Sequence, residues 1–218
     1  MQHAGEEILE CYRVLGKAKA NIVSEILREQ GEFIEWDHYP AGDVFDGETY
    51  SQYYYHAHRS EGREHGHFHV FLRYGGMPAG VHPVPNKGEE EWPLGKAAIC
   101  HLIAISMDEY GFPIRLFTTN RWVTGETWYV AKDAIAMLDG FLIDHTWPSW
   151  ATNRWISAMI KLYRPQIACL LEERDKTVAA WRGAHPNGDP FEDRALELTS
   201  SLDISVDTHM ESIRRVLG

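Results

Sequence analysis

The sequence predicts an α+β protein in which a central antiparallel β-sheet is accompanied by an N-terminal helix and a C-terminal set of helices. Apolar residues recur at helical spacing over residues 5–30. Residues 33–119 consist instead of aromatic and β-branched segments separated by Gly and Pro, a pattern typical of strands. After Thr124 the helical period returns and continues towards the C-terminus.

Each element is assigned from its local pattern. The helix at 5–30 is followed by Gly31, which suits a helix C-terminus. We expect strands at 33–38, 50–58, 66–74, 98–107 and 113–119. We expect helices at 130–143, 148–172 with a break before Pro165, 173–184, 190–200 and 205–217.

Two further segments divide the chain. Residues 75–96 hold five Gly and four Pro, which predicts a long loop of the kind that serves as a lid. The turn at 184–190 divides the predicted domain into an α+β part at 1–183 and a C-terminal helical appendage at 184–218.

The composition of the chain indicates which classes of partner to exclude and which cellular compartment to expect. The formal net charge of the 218-residue chain is -11 and Lys and Arg form no run, so neither nucleic acid nor an anionic membrane is expected as a partner. No segment approaches the ~20 apolar residues that span a bilayer. The three cysteines, Cys11, Cys100 and Cys169, form no metal-binding or disulfide pattern. These features predict a cytoplasmic protein.

The most informative segment is a histidine-rich hairpin over residues 56–69. Because alternate residues of a strand share a face, the two histidines of the first strand lie on one face, as do the three of the second. Pairing that keeps the apolar residues on the opposite face puts His56 opposite His69 and His58 opposite His67. The histidines concerned are His56, His58, His65, His67 and His69.

A cluster of imidazoles on one face predicts a transition-metal site. Neutral imidazoles bind divalent metals, whereas several charged rings at this spacing would repel one another. Glu61 and Glu64 on the hairpin loop can add a carboxylate ligand or orient a ring. Iron is favoured, and zinc, copper, manganese and nickel suit the same donors. The alternative is a solvated sheet face or a hydrogen-bonded histidine network.

Other residues are candidates for the same site. Met107 opposite Phe112 would place His101 opposite Thr118, where His101 is either a further ligand or a core histidine. Tyr54 shares the face of His56 and would approach the metal. Residues 115–128 combine hydrogen-bonding and aromatic groups, either as a pocket wall or as core. In the first case Arg121 would bind a carboxylate or phosphate. We therefore take Glu64, Tyr54 and Arg121 as candidate catalytic residues.

The hairpin resembles two known motifs. His56-Ala57-His58 followed by Glu61 is similar to the first cupin motif, whose HxH and Glu bind iron, manganese, nickel or zinc. His65-Gly66-His67-Phe68-His69-Val70-Phe71 resembles the histidine-triad signature of nucleotide hydrolases and transferases. That second resemblance implies a metal-free reaction in which His67 or His69 is the nucleophile and Arg121 binds phosphate.

A broader resemblance covers the chain up to about residue 175. The passages are Glu35–Pro40, Tyr53–His58, Glu64–His69 and Arg115–Trp128, and they resemble a family of bacterial proteins defined as a domain of unknown function. The resemblance implies that these segments belong together, and it implies no activity.

These observations lead to three functional hypotheses. The first is a non-haem metalloenzyme, an oxidase or oxygenase acting on a small molecule, with a metal-dependent hydrolase as its near variant. The second is a metal-free nucleotidyl or phosphoryl transferase of the histidine-triad kind. The third is a metal-binding protein without catalytic activity.

Overall fold

The computed structural model describes residues 1–58 and 64–217, and it confirms the α+β class. The described strands form a single antiparallel sheet in the order β1-β2-β3-β4-β5-β6. Their bounds are β1 Tyr39–Phe45, β2 Ser51–His56, β3 Gly66–Arg73, β4 Ile99–Met107, β5 Pro113–Thr119 and β6 Leu198–Asp203.

The helices precede and follow the main run of strands. They are α1 Gln2–Lys17, α2 Ile22–Leu27, α3 Arg121–Thr124, α4 Ala131–Met137, α5 Trp150–Leu162, α6 Arg164–Ala184 and α7 Val206–Leu217, with 3₁₀ turns at Tyr74–Gly76, Gly95–Ala97 and Leu138–Gly140. None of the helices in the described part of the chain has the length and apolar character needed to cross a membrane.

Two predicted helices are interrupted for local reasons. The helix predicted over 5–30 is divided by residues 18–21, and Asn21 and Ser24 form a reciprocal capping box that starts α2. The predicted break before Pro165 lies at Tyr163, between α5 and α6. Proline is tolerated in the first turn of α6 because that position needs no amide hydrogen bond.

Three element predictions are wrong. Residues 33–38 form no strand, since Trp36 has a left-handed φ of 75°, and β1 begins only at Tyr39. The predicted helix at 190–200 is absent. Its last residues instead begin β6, whose backbone pairs with β5 and completes an edge of the sheet. The helix boundary predicted between residues 172 and 173 is also absent, because α6 runs unbroken from Arg164 to Ala184.

One face of the sheet packs against α1, α2 and α5 to form the main core. Phe68 on β3 contacts the Trp155 ring of α5 at a centroid distance of 5.6 Å. The Trp155 indole N–H donates to the hydroxyl of Tyr12 on α1 at 3.0 Å. The opposite face of β2, β3 and β4 is also buried, and it is this second face that carries the histidines.

Candidate metal centre

The pairing of β2 with β3 brings the histidines together in a register that differs from the predicted one. His56 lies opposite His67, and His69 lies opposite Tyr54 rather than His56. The predicted register, with His58 opposite His67, is therefore wrong by two residues. A shift of two residues preserves the face of every side chain, because the side-chain period of a strand is two. The histidines thus still share one face.

The close approach of the two strands depends on Gly66 at the start of β3. A Cβ atom on this residue would lie 2.5 Å from the Tyr55 hydroxyl oxygen and 2.7 Å from the His56 carbonyl oxygen. Both distances are far shorter than real contacts of a Cβ atom allow. Glycine is therefore needed here for the end of β2 to lie beside His67.

Three buried histidines, His56, His67 and His69, can hold a metal ion. One ring nitrogen from each lies within 4.8 Å of the others. The Nε2 atoms of His56 and His67 are 2.8 Å apart. Nitrogens bound tetrahedrally at about 2.0–2.1 Å would be separated by about 3.3 Å, so rings in this position need only small rotations to bind one ion.

The polar atom that best fits this interpretation is Nε2 of His69. It is buried and has no hydrogen-bond partner among the residues that the structure describes. A buried polar atom without a partner costs roughly 1–3 kcal/mol, so native proteins rarely retain one without a ligand or water. The donor set and this nitrogen together fit a transition metal.

Two neighbouring side chains orient the rings. His67 Nδ1 lies 2.6 Å from Glu64 Oε1, and His69 Nδ1 lies 3.0 Å from His101 Nε2. With Nδ1 engaged on each ring, Nε2 is the nitrogen that remains to bind a metal. Carboxylates and other acceptors hold the ligating histidines of metal sites in this way.

The electrostatic surroundings keep His69 and His101 neutral at neutral pH. Burial, together with the neighbouring His67, holds the pKa of His69 well below its ordinary value. Burial, reinforced by the charge of Arg174, lowers the pKa of His101 to about 3. A neutral imidazole is the form that binds a metal, so no proton has to be removed from either ring at pH 7.

The rim of the cluster is aromatic. The His58 ring lies 5.0 Å from the His56 ring and 5.1 Å from the His67 ring, and it stacks on Trp36 at 4.6 Å. His38 stacks on Tyr54 at 3.6 Å. His38 is exposed and directly precedes β1.

Tyr54 lies beside the cluster, as its position on β2 predicted. Its ring is 5.3 Å from that of His56 and 5.2 Å from that of His69. His65, in contrast, is turned towards the other side of the sheet, where its Nδ1 is 2.7 Å from the hydroxyl of the core residue Tyr55. Glu61 lies outside the described residues.

The position of His101 differs from the one predicted. Irregularities at both edges of β4 change its register, so that Met107 lies opposite Pro113 rather than Phe112, and Ala104 opposite Phe117. The predicted pairing of His101 with Thr118 is therefore wrong. The His101 ring contacts the His69 ring at 4.9 Å and supports it from the side away from His56.

Arg121 belongs to a separate structural network. Its guanidinium forms a salt bridge with Glu192, donates from Nε to the Glu126 carbonyl oxygen at 3.0 Å, and lies over the Trp92 ring. None of its hydrogen bonds within the described residues reaches a histidine of the cluster. Its role in binding a substrate stays a prediction.

Sequence reasoning missed Glu126, which is fully buried behind His101. Its Oε2 accepts a hydrogen bond from the His101 backbone N–H at 2.6 Å. Burial raises the pKa of Glu126 to about 7. The two residues are 25 positions apart, so no local pattern in the sequence could pair them.

The comparison with known families matches residues 2–204 to the Domain of unknown function (DUF6969). The chain belongs to this family. No curated protein and no solved structure matches the chain. The family match covers the sheet and helices α1 to α6, and the chemistry must be inferred from the site itself.

Proposed function

We propose that this protein is a metal-dependent enzyme that binds one divalent transition metal through His56, His67 and His69 and acts on a small molecule. The observation that supports it best is the unpartnered Nε2 of buried His69, in a ring that has a nitrogen within 4.8 Å of ring nitrogens of His56 and His67. Three protein ligands are the usual number in a catalytic metal site, where a further position stays open for substrate or water.

Iron and oxidative chemistry are our first choice for this site. An iron ion bound by three neutral imidazoles would supply open positions for oxygen and for a substrate. The chain's own residues hold and shield it: Glu64 orients His67, His101 orients His69, and Tyr54 closes one side. Zinc with hydrolytic chemistry is the near variant, since a three-histidine set also suits zinc.

The first test is elemental analysis of full-length protein purified without a histidine tag. We expect close to one equivalent of a transition metal, with iron exceeding zinc after anaerobic purification. His67→Ala should lower the affinity for added Fe(II) or Zn(II) at least 100-fold. His82→Ala, which changes an exposed histidine far along the chain, is the matched control and should leave the affinity unchanged.

Two results would overturn the proposal. One is metal-free protein that binds added Fe(II), Zn(II) and Cu(II) no more tightly than His67→Ala. The other is one equivalent of tightly bound metal whose spectrum shows a closed coordination sphere and no response to small ligands, which would indicate a metal-binding protein without catalytic activity.

A metal-free transferase is the second candidate, and one chain of contacts favours it. Glu64 Oε1 lies 2.6 Å from His67 Nδ1, and His67 Nε2 lies 2.8 Å from His56 Nε2. A carboxylate that orients one imidazole is the arrangement that activates a histidine in nucleophilic catalysis. Hydrolysis of a nucleoside phosphoramidate that persists in chelator and is lost in His67→Ala would establish this function instead.

A further inference from the structure

Three directly opposed residues extend from the histidine cluster across neighbouring strands. His67 on β3 lies opposite Ser106 on β4, and Ser106 lies opposite Arg115 on β5. Directly opposed residues of an antiparallel pair lie on the same face with Cβ atoms about 4.5–5.5 Å apart. The row therefore leads from a metal ligand to a hydroxyl and then to a guanidinium.

Ser106 has a buried hydroxyl that is available to a ligand. Its side chain is fully buried, and its Oγ has no hydrogen-bond partner in the described part of the chain. A serine hydroxyl in a sheet can usually rotate towards a backbone carbonyl or a neighbouring side chain, so a buried one left unpaired needs an explanation. A bound ligand that supplies a hydrogen-bond acceptor would explain the unpaired hydroxyl, and the position of Ser106 beside His67 supports this explanation.

Arg115 stands at the outer end of the row. Its side chain is 40% exposed, and its Nε donates to Asp203 Oδ1 at 3.1 Å. Among the described residues, neither Nη group of Arg115 makes a hydrogen bond. A guanidinium offers a planar fork that matches a carboxylate, so these groups are available to a ligand that enters beside Ser106.

The residues beside this row are apolar and buried. The next row along β4 carries Ala104, which lies opposite His69 on one side and Phe117 on the other. The Phe117 ring lies 5.3 Å from the His67 ring and 6.2 Å from the His69 ring. The apolar Ala104 and Phe117 suit the carbon skeleton of a small organic molecule.

The charges at the proposed metal site favour an anionic ligand. Three neutral imidazoles leave the two positive charges of a divalent ion unreduced, and the Glu64 carboxylate on His67 offsets one of them. An anionic ligand would offset the remaining positive charge of the metal, and a buried charge is stable only when it is paired. Arg115, already beside Asp203, does not alter this balance.

From this row we infer that Ser106 and Arg115 bind the carboxylate group of a small organic substrate beside the metal. This inference rests on the proposed function, because the carboxylate is placed next to the metal held by His67. Ser106 donates a hydrogen bond from its hydroxyl to one carboxylate oxygen. Arg115, at the edge of the site, donates hydrogen bonds from its Nη groups to the carboxylate.

The test uses the full chain loaded with Co(II), whose visible spectrum responds to ligands near the metal. Acetate is the probe, and acetamide, its uncharged analogue, controls for the charge of the carboxylate. We expect acetate to change the spectrum with saturation and acetamide to leave it unchanged. Ser106→Ala and Arg115→Gln should each raise the dissociation constant of acetate roughly tenfold or more, because hydrogen bonds to a charged group are the stronger kind.

Matched variants control for the loss of a buried hydroxyl and of a surface charge. Thr152→Val removes a buried hydroxyl that also lacks a partner among the described residues, but on α5. Arg164→Gln removes an arginine whose side chain is 40% exposed and paired with Asp139. Neither should change acetate binding. Since Arg115 lies at the rim, Arg115→Gln remains informative even if Ser106→Ala fails to fold.

The possible outcomes separate this inference from the proposed function. If Co(II) does not bind, both fail. If Co(II) binds to His56, His67 and His69 but acetate does not change its spectrum, the carboxylate site is wrong while the metal site stands. Acetate binding that is unchanged in Arg115→Gln would overturn the inference in the same way, and a matching response to acetamide would show that charge is not recognised.

Discussion

The two faces of strands β2, β3 and β4 are equally buried but chemically opposite. One face packs against the helices with apolar side chains: Tyr55, Phe68, Val70, Ile103 and Ile105. The other carries His56, His67, His69, His101 and Ser106, all of them with under a tenth of their surface exposed. The first face has the composition that stabilises a fold, since apolar burial contributes about 25 cal/mol per Å². The second buries polar groups that lower stability unless something binds them.

Burial alone does not distinguish the apolar core of these strands from the histidine site. Each histidine alternates along β3 with an apolar residue, so the same backbone serves both faces. What separates them is the satisfaction of polar atoms: the unpartnered atoms His69 Nε2 and Ser106 Oγ both lie on the histidine face. Variants on either face should therefore change different properties.

The largest expected effect is on the apolar face. Phe68→Ala removes a fully buried ring that contacts Tyr53, Tyr55 and Trp155. We expect the free energy of unfolding, measured by urea denaturation, to fall by about 3–5 kcal/mol. Metal bound per folded molecule should not change. A loss below about 1 kcal/mol would contradict the assignment of this face as the main core.

Glu126 lies at the edge of the histidine face, and its titration should make the free energy of unfolding depend on pH. Its pKa is about 7 in the folded protein against an ordinary value of 4.5. The stability associated with its protonated form is therefore complete below pH 4.5 and lost as the pH rises through 7. The shift corresponds to a loss of about 3 kcal/mol by pH 8.

Glu126→Gln keeps the acceptor for His101 without the charge, so it should remove this loss. Urea denaturation of chelator-treated protein at pH 4 and pH 8 measures the difference. The exposed Glu89→Gln is the control and should leave the pH dependence intact. A variant whose stability still falls in parallel with the wild type would show that another group titrates.

Gly66 links the two faces, because an added Cβ would meet both Tyr55 on the core side and the His56 backbone. Gly66→Ala should lower the free energy of unfolding by about 1–3 kcal/mol, the usual cost of overpacking, and should also weaken metal binding. Gly16→Ala is the control, since a Cβ there would meet no atom within 4 Å. Equal stability of the two variants would argue against the close approach.

The smallest expected effect concerns the orientation of a single ring. Glu64→Gln replaces the carboxylate beside His67 Nδ1 with a neutral amide. We expect metal affinity, measured by competition with a chromophoric chelator, to fall about 10–100-fold, with little change in folding stability. The exposed Glu109→Gln should leave affinity unchanged. Retention of full affinity in Glu64→Gln would mean that the carboxylate does not orient a ligand.

Much of the fold follows from periodicity. The strands at 66–74, 98–107 and 113–119 were predicted within a residue or so of their bounds, because each combines β-branched and aromatic residues between clear turn signals. The strand at Leu198–Asp203 was predicted as helix. It is stabilised by pairing with β5 and by Thr118 hydroxyl contacts to Thr199 and Ser200, and its own short sequence shows neither.

The sequence by itself determined that His56, His67 and His69 share one face, because alternation along a strand is a local property of the backbone. Only the tertiary structure decided which residues stand opposite them. The two-residue shift of register, the irregularities of β4 and the turn at Trp36 place His101, Ser106 and His38 around the cluster and turn His65 away. These contacts depend on pairing and packing between residues distant in the chain, and no local pattern encodes them.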